Sequence, residues 1–256
     1  LKAVLKILLF SLVSILVIPL QLIVMLFSKG NSSYVIPWLW HRLVCKIFCI
    51  KITTIGKPYL GRQTIYVSNH LSYLDIPVIA SVLRASFVAK KDVASWPVFG
   101  FLSRLQQTAF ISRNRTDAKK EKNALDNILD EGKSLIIFPE GTSTDGRHVV
   151  PFKSSLFSIA LKENLQELMM QPFSITMIKV NGKTAMPQDI RDLYAWHNNM
   201  ETPLGQHLWG FAKTSGAHIQ LNFHDAFYAQ NYNDRKTLAK HCHEIVSNDI
   251  LNSEQA

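Results

Sequence analysis

The sequence has few of the residues that build disulfide or metal frameworks. It holds three cysteines in 256 residues, and an odd, sparse count argues against a set of disulfides. Cys45 and Cys49 lie one helical turn apart, but no second pair of ligands follows at a matching spacing. Cys242 stands between His241 and His243, and adjacent residues on a helix point in different directions. We therefore expect neither a metal site nor a cofactor.

Signatures of two common function classes are also missing. The pentapeptide G-x-S-x-G, which forms the nucleophile elbow of many lipid hydrolases, occurs nowhere in the chain. The formal net charge is +9, yet the basic residues are scattered in small groups such as Lys90-Lys91 and Lys119-Lys120. They form no long run interleaved with aromatic residues and match no nucleic-acid-binding motif. We expect no nucleic-acid partner, and an anionic membrane surface is the better partner for this charge.

Only one stretch is apolar enough to suggest a membrane span. The run from Ile7 to Phe27 carries no charge, and at about 1.5 Å of rise per residue it can just cross a hydrocarbon core of about 30 Å. Pro19 and Gln21 interrupt it, and a proline inside a helix removes a backbone hydrogen bond. The run therefore either spans the bilayer or dips into one leaflet and returns. The flanking basic residues are too evenly divided to fix its orientation.

The residues from Trp38 to Phe48 predict a second, amphipathic helix. Its apolar side chains recur at helical spacing, while Arg42 and Lys46 lie on another face. The tryptophans at 38 and 40 suit a lipid–water interface, and packing of this helix on its own domain is an equally good interpretation. We take residues 1–55 as a membrane anchor with an interfacial helix, and residues 56–256 as a separate globular domain.

After Gly56 the pattern alternates between strands and helices. Helices are predicted at residues 117–131 and 152–163. Short β-rich runs predict strands at residues 64–68, 86–89, 108–112, 134–138, 174–180 and 218–223. This alternation predicts an α/β fold, with a mixed central sheet flanked by helices behind the membrane-anchoring helix and the interfacial helix.

The first of three polar groups follows the strand at residues 64–68 and contains Asn69, His70 and Asp75. Ligands of open α/β sheets tend to bind at such strand ends. His70 and Asp75 meet only if His70 precedes the next helix and folds back over its first turn. A histidine held by a carboxylate is the usual general-base arrangement. The alternative is structural, because the run from Ser72 to Asp75 also fits a helix-capping box.

The second polar group consists of Arg113 and Arg115, which come directly after the strand at residues 108–112. Two arginines at a strand end can form a forked donor site for a phosphate or a carboxylate. Surface arginines beside a helix start explain the same residues more simply.

The third polar group is the turn that contains Glu140, Gly141 and Thr142, directly after the apolar strand at residues 134–138. The glycine permits a positive φ or a close backbone approach, and the glutamate can bind substrate hydroxyls. An ordinary strand-to-loop turn is the alternative.

Together and in this order, the three groups resemble those of the phospholipid/glycerol acyltransferases, typified by 1-acylglycerol-3-phosphate acyltransferase. An N-H-x-x-x-x-D block, an arginine block and an F-P-E-G block follow one another in that family. Here they lie at residues 69–75, 111–115 and 138–141, and Pro172 matches a proline that opens a late strand. The resemblance covers residues 38–180.

The resemblance implies a membrane-bound O-acyltransferase of phospholipid biosynthesis. It moves a fatty acyl group from acyl-ACP or acyl-CoA to the free hydroxyl of a 1-acyl-glycerol-3-phosphate-type acceptor, at the cytoplasmic face of the cell membrane. His70 is then the general base, Asp75 orients it, and no acyl-enzyme forms. The substrate-binding residues that the resemblance implies are Arg113, Arg115, Glu140, Gly141, Thr142 and Asn69.

The chain departs from this pattern after F-P-E-G. Family members that act on lysophosphatidic acid commonly continue with Thr-Arg-Ser, whereas here Ser143 follows Thr142. The later run at residues 151–157, together with Trp196 and Trp209, resembles a branch that includes lyso-ornithine lipid acyltransferases, whose acceptor has an amino-acid headgroup. A lyso-ornithine lipid is therefore the alternative acceptor. The alternatives from other classes are a lipid or thioester hydrolase and a non-catalytic membrane-binding module.

Overall fold

The core of the fold is a nine-stranded mixed sheet. The computed structural model describes residues 1–28, 30–111, 125–162 and 164–255. Within them the strands run in the order β1-β8-β6-β2-β5-β3-β4, and β7 and β9 also pair with β6. The strands are β1 (Ile50–Ile55), β2 (Thr64–Val67), β3 (Ser86–Lys90), β4 (Ala109–Ile111), β5 (Leu135–Ile137), β6 (Met169–Val180), β7 (Lys183–Thr184), β8 (Ala217–Phe223) and β9 (Phe227–Tyr228).

Helices lie on both faces of this sheet. The α-helices are α1 (Lys2–Phe27), α2 (Val35–Ile47), α3 (Asp75–Ala80), α4 (Phe99–Leu105), α5 (described over residues 125–130), α6 (Gln188–Arg191), α7 (Leu204–Lys213) and α8 (Arg235–Gln255). Short 3-10 helices occupy Gly30–Tyr34, Lys91–Ser95, Ser154–Leu161 and Ala229–Asn231.

A block of five parallel strands sets the position of the polar loops. β6, β2, β5, β3 and β4 pair in parallel, whereas β8 is antiparallel to β6. Val67 at the end of β2 is level with Ile137 at the end of β5. Because parallel strands end at the same edge of a sheet, the loop that holds His70 and the turn that holds Glu140 meet there.

The two faces of the sheet bury separate apolar cores. Successive side chains of a strand point to opposite faces, so that Tyr66 of β2 joins the core beneath α2, α3 and α7. Ile65 and Val67 join the core beneath α8 and the 3-10 helix at Ser154–Leu161. β2 and β5 are buried along their whole length, which is why both are apolar runs without alternation.

The predicted α/β fold with a mixed sheet is confirmed, and all six predicted strands are present. Five have slightly different bounds, whereas the strand predicted at 174–180 begins five residues earlier, at Met169, so that Pro172 lies inside it and does not open it. The helix predicted at 152–163 is a 3-10 helix over Ser154–Leu161, and of the helix predicted at 117–131 only residues 125–130 are described. The sequence analysis did not predict β1, an edge strand whose side chains are mostly half-exposed or exposed. β1 lies within residues 1–55 and pairs with β8. The division of the chain at residues 55 and 56 stays a prediction.

α1 lies along the domain. It continues as one helix through Pro19 and is long and apolar enough to cross a membrane by length and composition. One face packs on α2 and α7, with hydrogen bonds from Lys6 Nζ to the Thr214 carbonyl (2.9 Å) and from Gln21 Nε2 to the Leu105 carbonyl (3.0 Å). These contacts extend over most of the helix. The opposite face exposes a band of large apolar side chains, among them Leu5, Leu8, Leu12, Ile15, Leu16, Ile23, Leu26 and Phe27.

α2 packs beside α1 and on its own domain, and a position of its exposed side at a lipid–water interface stays a prediction. Its buried side includes His41, Val44 and Cys45, which belong to the domain, whereas Leu39 and Leu43 are exposed. Trp40 connects the two helices, because its Nε1 donates to the Ser14 Oγ of α1 at 3.1 Å.

Candidate active site

His70 and Asp75 meet as the N-H-x-x-x-x-D spacing requires. The chain leaves β2 at Val67 and turns before α3, which begins at Asp75. His70 Nδ1 lies 2.8 Å from Asp75 Oδ2, and the same oxygen accepts the backbone N–H groups of Leu71 (2.6 Å) and Ser72 (3.0 Å). Asp75 thus caps the turn and holds the histidine at once. The structural and functional interpretations of this carboxylate are compatible.

The second nitrogen of His70 is available for chemistry. Asp75 accepts the Nδ1 hydrogen, which leaves Nε2 as the unprotonated nitrogen of the neutral ring. No described residue hydrogen-bonds Nε2. The ring stacks on Phe138 with centroids 4.1 Å apart and borders a cavity of about 300 Å³. A neutral imidazole with Nε2 facing a cavity can take a proton from a bound hydroxyl.

Tyr194 supplies a fourth donor to Asp75. Its hydroxyl donates to Asp75 Oδ1 at 3.1 Å, and both side chains are fully buried. Burial, and the negative charge of Asp75, raise the pKa of Tyr194 well above its ordinary value, so that the phenol stays protonated. The sequence analysis did not identify this residue. Its only signal was the Tyr-Ala-Trp run in the segment that resembles the lyso-ornithine lipid branch.

Glu140 braces the loop of His70. Its Oε1 accepts the His70 backbone N–H and its Oε2 accepts the Val150 backbone N–H, both at 2.8 Å. The side chain is 1% exposed. Burial raises the pKa of Glu140 to about 7, the two N–H donors oppose this shift, and the charge of Asp75 adds to it. Because both carboxylate oxygens of Glu140 accept backbone N–H groups, this side chain supports the loop, whereas the sequence analysis predicted that it would bind substrate hydroxyls.

Asn69 and Gly141 also fix backbone. The Asn69 amide forms two hydrogen bonds with the backbone of Ile175, at 3.0 and 2.9 Å, and so ties the loop to β6. Gly141 has a φ of +68°, and a Cβ there would lie 2.5 Å from Lys153 Nζ. Gly141 therefore leaves room for a lysine that the sequence analysis did not single out. The predicted residues Arg113 and Arg115 lie outside the described residues.

The wall opposite His70 comes from the segment after β7. Ser143 Oγ donates to the Trp196 carbonyl at 2.6 Å, and Asn198 Nδ2 donates to Thr142 Oγ1 at 2.7 Å. All four residues border the cavity. These two hydrogen bonds join Thr142 and Ser143 to Trp196 and Asn198 in one polar lip of the cavity.

The other side of the cavity is apolar. A second cavity of about 120 Å³ shares Tyr73, Ile76 and Trp96 with the first and continues to Phe10 of α1. The apolar lining thus extends from the cavity that His70 borders toward the helix that exposes the apolar band. Such a path suits a hydrocarbon chain.

The described residues offer no second chemistry beside His70. No described serine, threonine or cysteine hydrogen-bonds the His70 ring. No group of three or more histidine, cysteine or acidic side chains among residues 1–28, 30–111, 125–162 and 164–255 could hold a metal ion. The hydrogen bond from His70 Nδ1 to Asp75 is the geometry that general-base catalysis requires.

Replacing Glu140 by Gln should weaken the brace. Gln keeps one carbonyl oxygen and turns an NH2 group toward the other N–H donor, so one of the two hydrogen bonds is lost. A hydrogen bond to a charged group contributes about 1.5–3 kcal/mol, and we expect kcat/KM for acyl transfer to fall about tenfold or more.

The same variant tests the ionisation of Glu140. Because the pKa of Glu140 is raised from 4.5 to about 7 in the folded protein, the folded state holds a proton that the unfolded chain releases in this window. Its contribution to stability is therefore lost as the pH rises from about 4.5 to 7. Thermal unfolding of wild type and Glu140→Gln across this range should show the wild-type advantage shrinking as pH rises. An advantage that grows with pH would contradict the assignment.

Comparison with known proteins gives consistent results. Residues 49–176 match the family described as Acyltransferase. A lyso-ornithine lipid O-acyltransferase of Brucella abortus is 34% identical over 232 residues, which cover 89% of this chain and 85% of that protein. A 1-acyl-sn-glycerol-3-phosphate acyltransferase of Neisseria gonorrhoeae is 38% identical over 95 residues, 37% of each protein.

The fold has a counterpart among solved structures. The 1-acyl-sn-glycerophosphate (LPA) acyltransferase PlsC of Thermotoga maritima matches with a TM-score of 0.67 and 19% sequence identity, over 100% of this chain and 97% of that one. With the family match over half of the chain and the extended similarity to the Brucella protein, these findings show that the chain is an acyltransferase and belongs to the Acyltransferase family.

Proposed function

We propose that this acyltransferase moves a fatty acyl group from a thioester directly onto the free hydroxyl of a lysolipid. The observation that carries the proposal is that His70, with Nδ1 held by Asp75, lines the cavity that also contains the polar lip and shares Tyr73, Ile76 and Trp96 with the apolar path. When the acceptor hydroxyl is bound at the lip and a hydrocarbon chain lies in the apolar path, the two reacting groups, the hydroxyl and the thioester carbonyl, meet at His70 Nε2. The donor is acyl-ACP or acyl-CoA.

The reaction steps follow from the pairing of His70 with Asp75, called the dyad below. The acceptor hydroxyl donates to His70 Nε2, which takes its proton while the oxygen attacks the thioester carbonyl. The resulting imidazolium is stabilised through Nδ1–H by the Asp75 carboxylate. When the tetrahedral intermediate collapses, the C–S bond breaks, an ester forms and the imidazolium returns the proton to the leaving thiolate. The neutral base is restored without an acyl-enzyme.

We infer that a lyso-ornithine lipid is the preferred acceptor. Ser143 stands where an arginine is common in enzymes acting on lysophosphatidic acid, and its hydroxyl is engaged with Trp196. The lip therefore offers neutral groups at the position of one phosphate-binding cation. Relatives named for lyso-ornithine lipid align over most of this chain. Lysophosphatidic acid is the second acceptor, supported by the shared motifs and by the similarity to PlsC.

Arg113 and Arg115 remain proposed headgroup ligands. They follow β4, whose last residue, Ile111, borders the cavity. With Thr142 they complete a substrate-binding set at the lip, while Asn69, Glu140 and Gly141 support it through the backbone. In this interpretation their guanidinium groups bind an acidic group of the acceptor, such as a carboxylate or a phosphate.

We propose that α1 enters one leaflet of the membrane at the cytoplasmic face. Because the domain flanks α1 from Ala3 to Gln21, a helix spanning the bilayer would take part of the globular domain into the hydrocarbon core. Insertion of only the exposed apolar band avoids this and brings the apolar path to the lipid. Thioester donors are cytosolic, which favours the cytoplasmic face.

Replacing His70 by Ala should abolish most transfer. A positioned general base contributes about 10²–10⁴-fold, and we expect kcat to fall by that factor with membrane association unchanged in a vesicle flotation assay.

Asp75→Asn should retain the fold, and its kcat should fall about a hundredfold or more, because the imidazolium loses its counter-charge. Wild-type turnover in His70→Ala would exclude His70 as the general base. Equal thioester consumption with and without lysolipid would instead indicate a hydrolase.

The acceptor proposal predicts a higher kcat/KM for lyso-ornithine lipid than for lysophosphatidic acid, measured with labelled thioester and purified protein in detergent. Ser143→Arg should raise the relative use of lysophosphatidic acid by adding a cation at the lip. Ser143→Ala is the matched control, since it removes the same hydrogen bond to Trp196 without adding charge. A wild-type preference for lysophosphatidic acid would show that the remaining basic residues suffice for the phosphate.

A further inference from the structure

One short segment connects the catalytic carboxylate to the lip of the cavity. This segment, residues 191–198, follows β7 and is tied to the site at each end. Arg191 Nε donates to the Asp145 carbonyl at 2.8 Å, and the Trp196 backbone N–H donates to the Leu71 carbonyl at 2.9 Å. Asn198 and Trp196 then meet the F-P-E-G turn. The segment is therefore part of the active site although it lies beyond the residues of the three motifs.

Tyr194 is the member of this segment that reaches the dyad. Asp75 Oδ2 accepts from His70, Leu71 and Ser72, whereas Oδ1 accepts from Tyr194 and from no other described residue. The Tyr194 ring is held edge-on against Phe211 of α7, with centroids 5.9 Å apart. A fully buried phenol in a fixed orientation keeps the carboxylate in the plane that His70 Nδ1 requires.

We propose that Tyr194 is a positioning residue for acyl transfer, whose hydroxyl holds the Asp75 carboxylate and so limits the basicity of His70. The inference rests on the proposed role of His70 as general base. A donor on Oδ1 draws negative charge away from Oδ2. Without it, Asp75 attracts the imidazolium form more strongly, and His70 stays protonated, hence unable to act as a base, up to a higher pH.

The groups that face this array are few among the described residues. Glu140 accepts the His70 backbone N–H, and burial raises the pKa of this carboxyl to about 7, so Glu140 titrates near neutral pH, where the rate profile is measured. Tyr73 and Cys45 lie near Tyr194, and burial raises the pKa of each, which keeps both neutral at working pH. Lys90 borders the cavity. His207 lies 2.9 Å from the Tyr73 hydroxyl, and burial lowers the pKa of this histidine. The pH dependence is best compared in a Glu140→Gln background, which removes the titration of Glu140.

Tyr194→Phe deletes one oxygen and keeps the ring. We expect kcat/KM to fall about tenfold at neutral pH, as for the loss of one hydrogen bond to a charged group. We also expect the midpoint of the acid limb of the kcat/KM profile, which reports the essential base of the free enzyme, to move to higher pH by about half a unit or more. The acid limb of the double variant Glu140→Gln/Tyr194→Phe should be displaced in the same way relative to that of Glu140→Gln alone.

Tyr66→Phe is the matched control. Tyr66 is 2% exposed, and its hydroxyl donates to the Tyr59 carbonyl at 2.6 Å, away from the dyad. Tyr66→Phe should lose about as much thermal stability as Tyr194→Phe, and it should keep the wild-type pH profile of kcat/KM. In Asp75→Asn, adding Tyr194→Phe should cause much less further loss than in wild type, because the two residues act through one contact.

Two results would overturn the proposal. The first is a Tyr194→Phe enzyme with the wild-type profile. The second is a loss of rate with an unmoved acid limb, which assigns Tyr194 to packing alone. Either can occur while His70→Ala abolishes transfer, so the failure of this inference is distinguishable from a failure of the proposed function.

Discussion

The buried carboxylate of Asp75 is the contact on which the site depends. An ionised group removed from water is stable only when it is fully hydrogen-bonded. Asp75 meets this condition with donors from His70, from the Leu71 and Ser72 backbone and from Tyr194. Its four partners belong to the loop after β2 and to the segment before α7. The hydrogen bonds of one carboxylate therefore join two distant parts of the chain beside His70, and Glu140, in the turn after β5, braces the same loop.

A second constraint comes from α1, which is long and apolar enough to cross a membrane by length and composition and yet lies along the domain. α1 buries one face on α2 and α7 and exposes apolar side chains on the other. The apolar lining that begins at His70 reaches Phe10 of this helix. On the proposed function, the exposed band of α1, the apolar cavity and His70 follow one another, and Ser143 and Asn198 line the same cavity as His70.

The parts that could be predicted are those with a local signal. Buried parallel strands are recognisable as apolar runs, and the spacing from His70 to Asp75 is contained in one turn. Two features were missed. The β-branched run of β1 has strand propensity, but the sequence analysis assigned residues 1–55 to the anchor and began the strand pattern after Gly56. Tyr194 is separated from Asp75 by 119 residues, and a single tyrosine carries no periodicity to predict its partner. Glu140 was singled out, but its engagement with two backbone N–H groups depends on the register of β2 and β5.

The central claim is direct transfer from thioester to lysolipid by a base held on Asp75. A single-turnover experiment with excess enzyme and labelled acyl thioester tests it most directly, by following label in protein and in lipid before and after addition of lysolipid. The account predicts that the thioester stays intact until lysolipid is added, and that label then passes to the diacyl product without appearing on the protein. Rapid acceptor-independent labelling of the protein, followed by transfer to lysolipid, would contradict it.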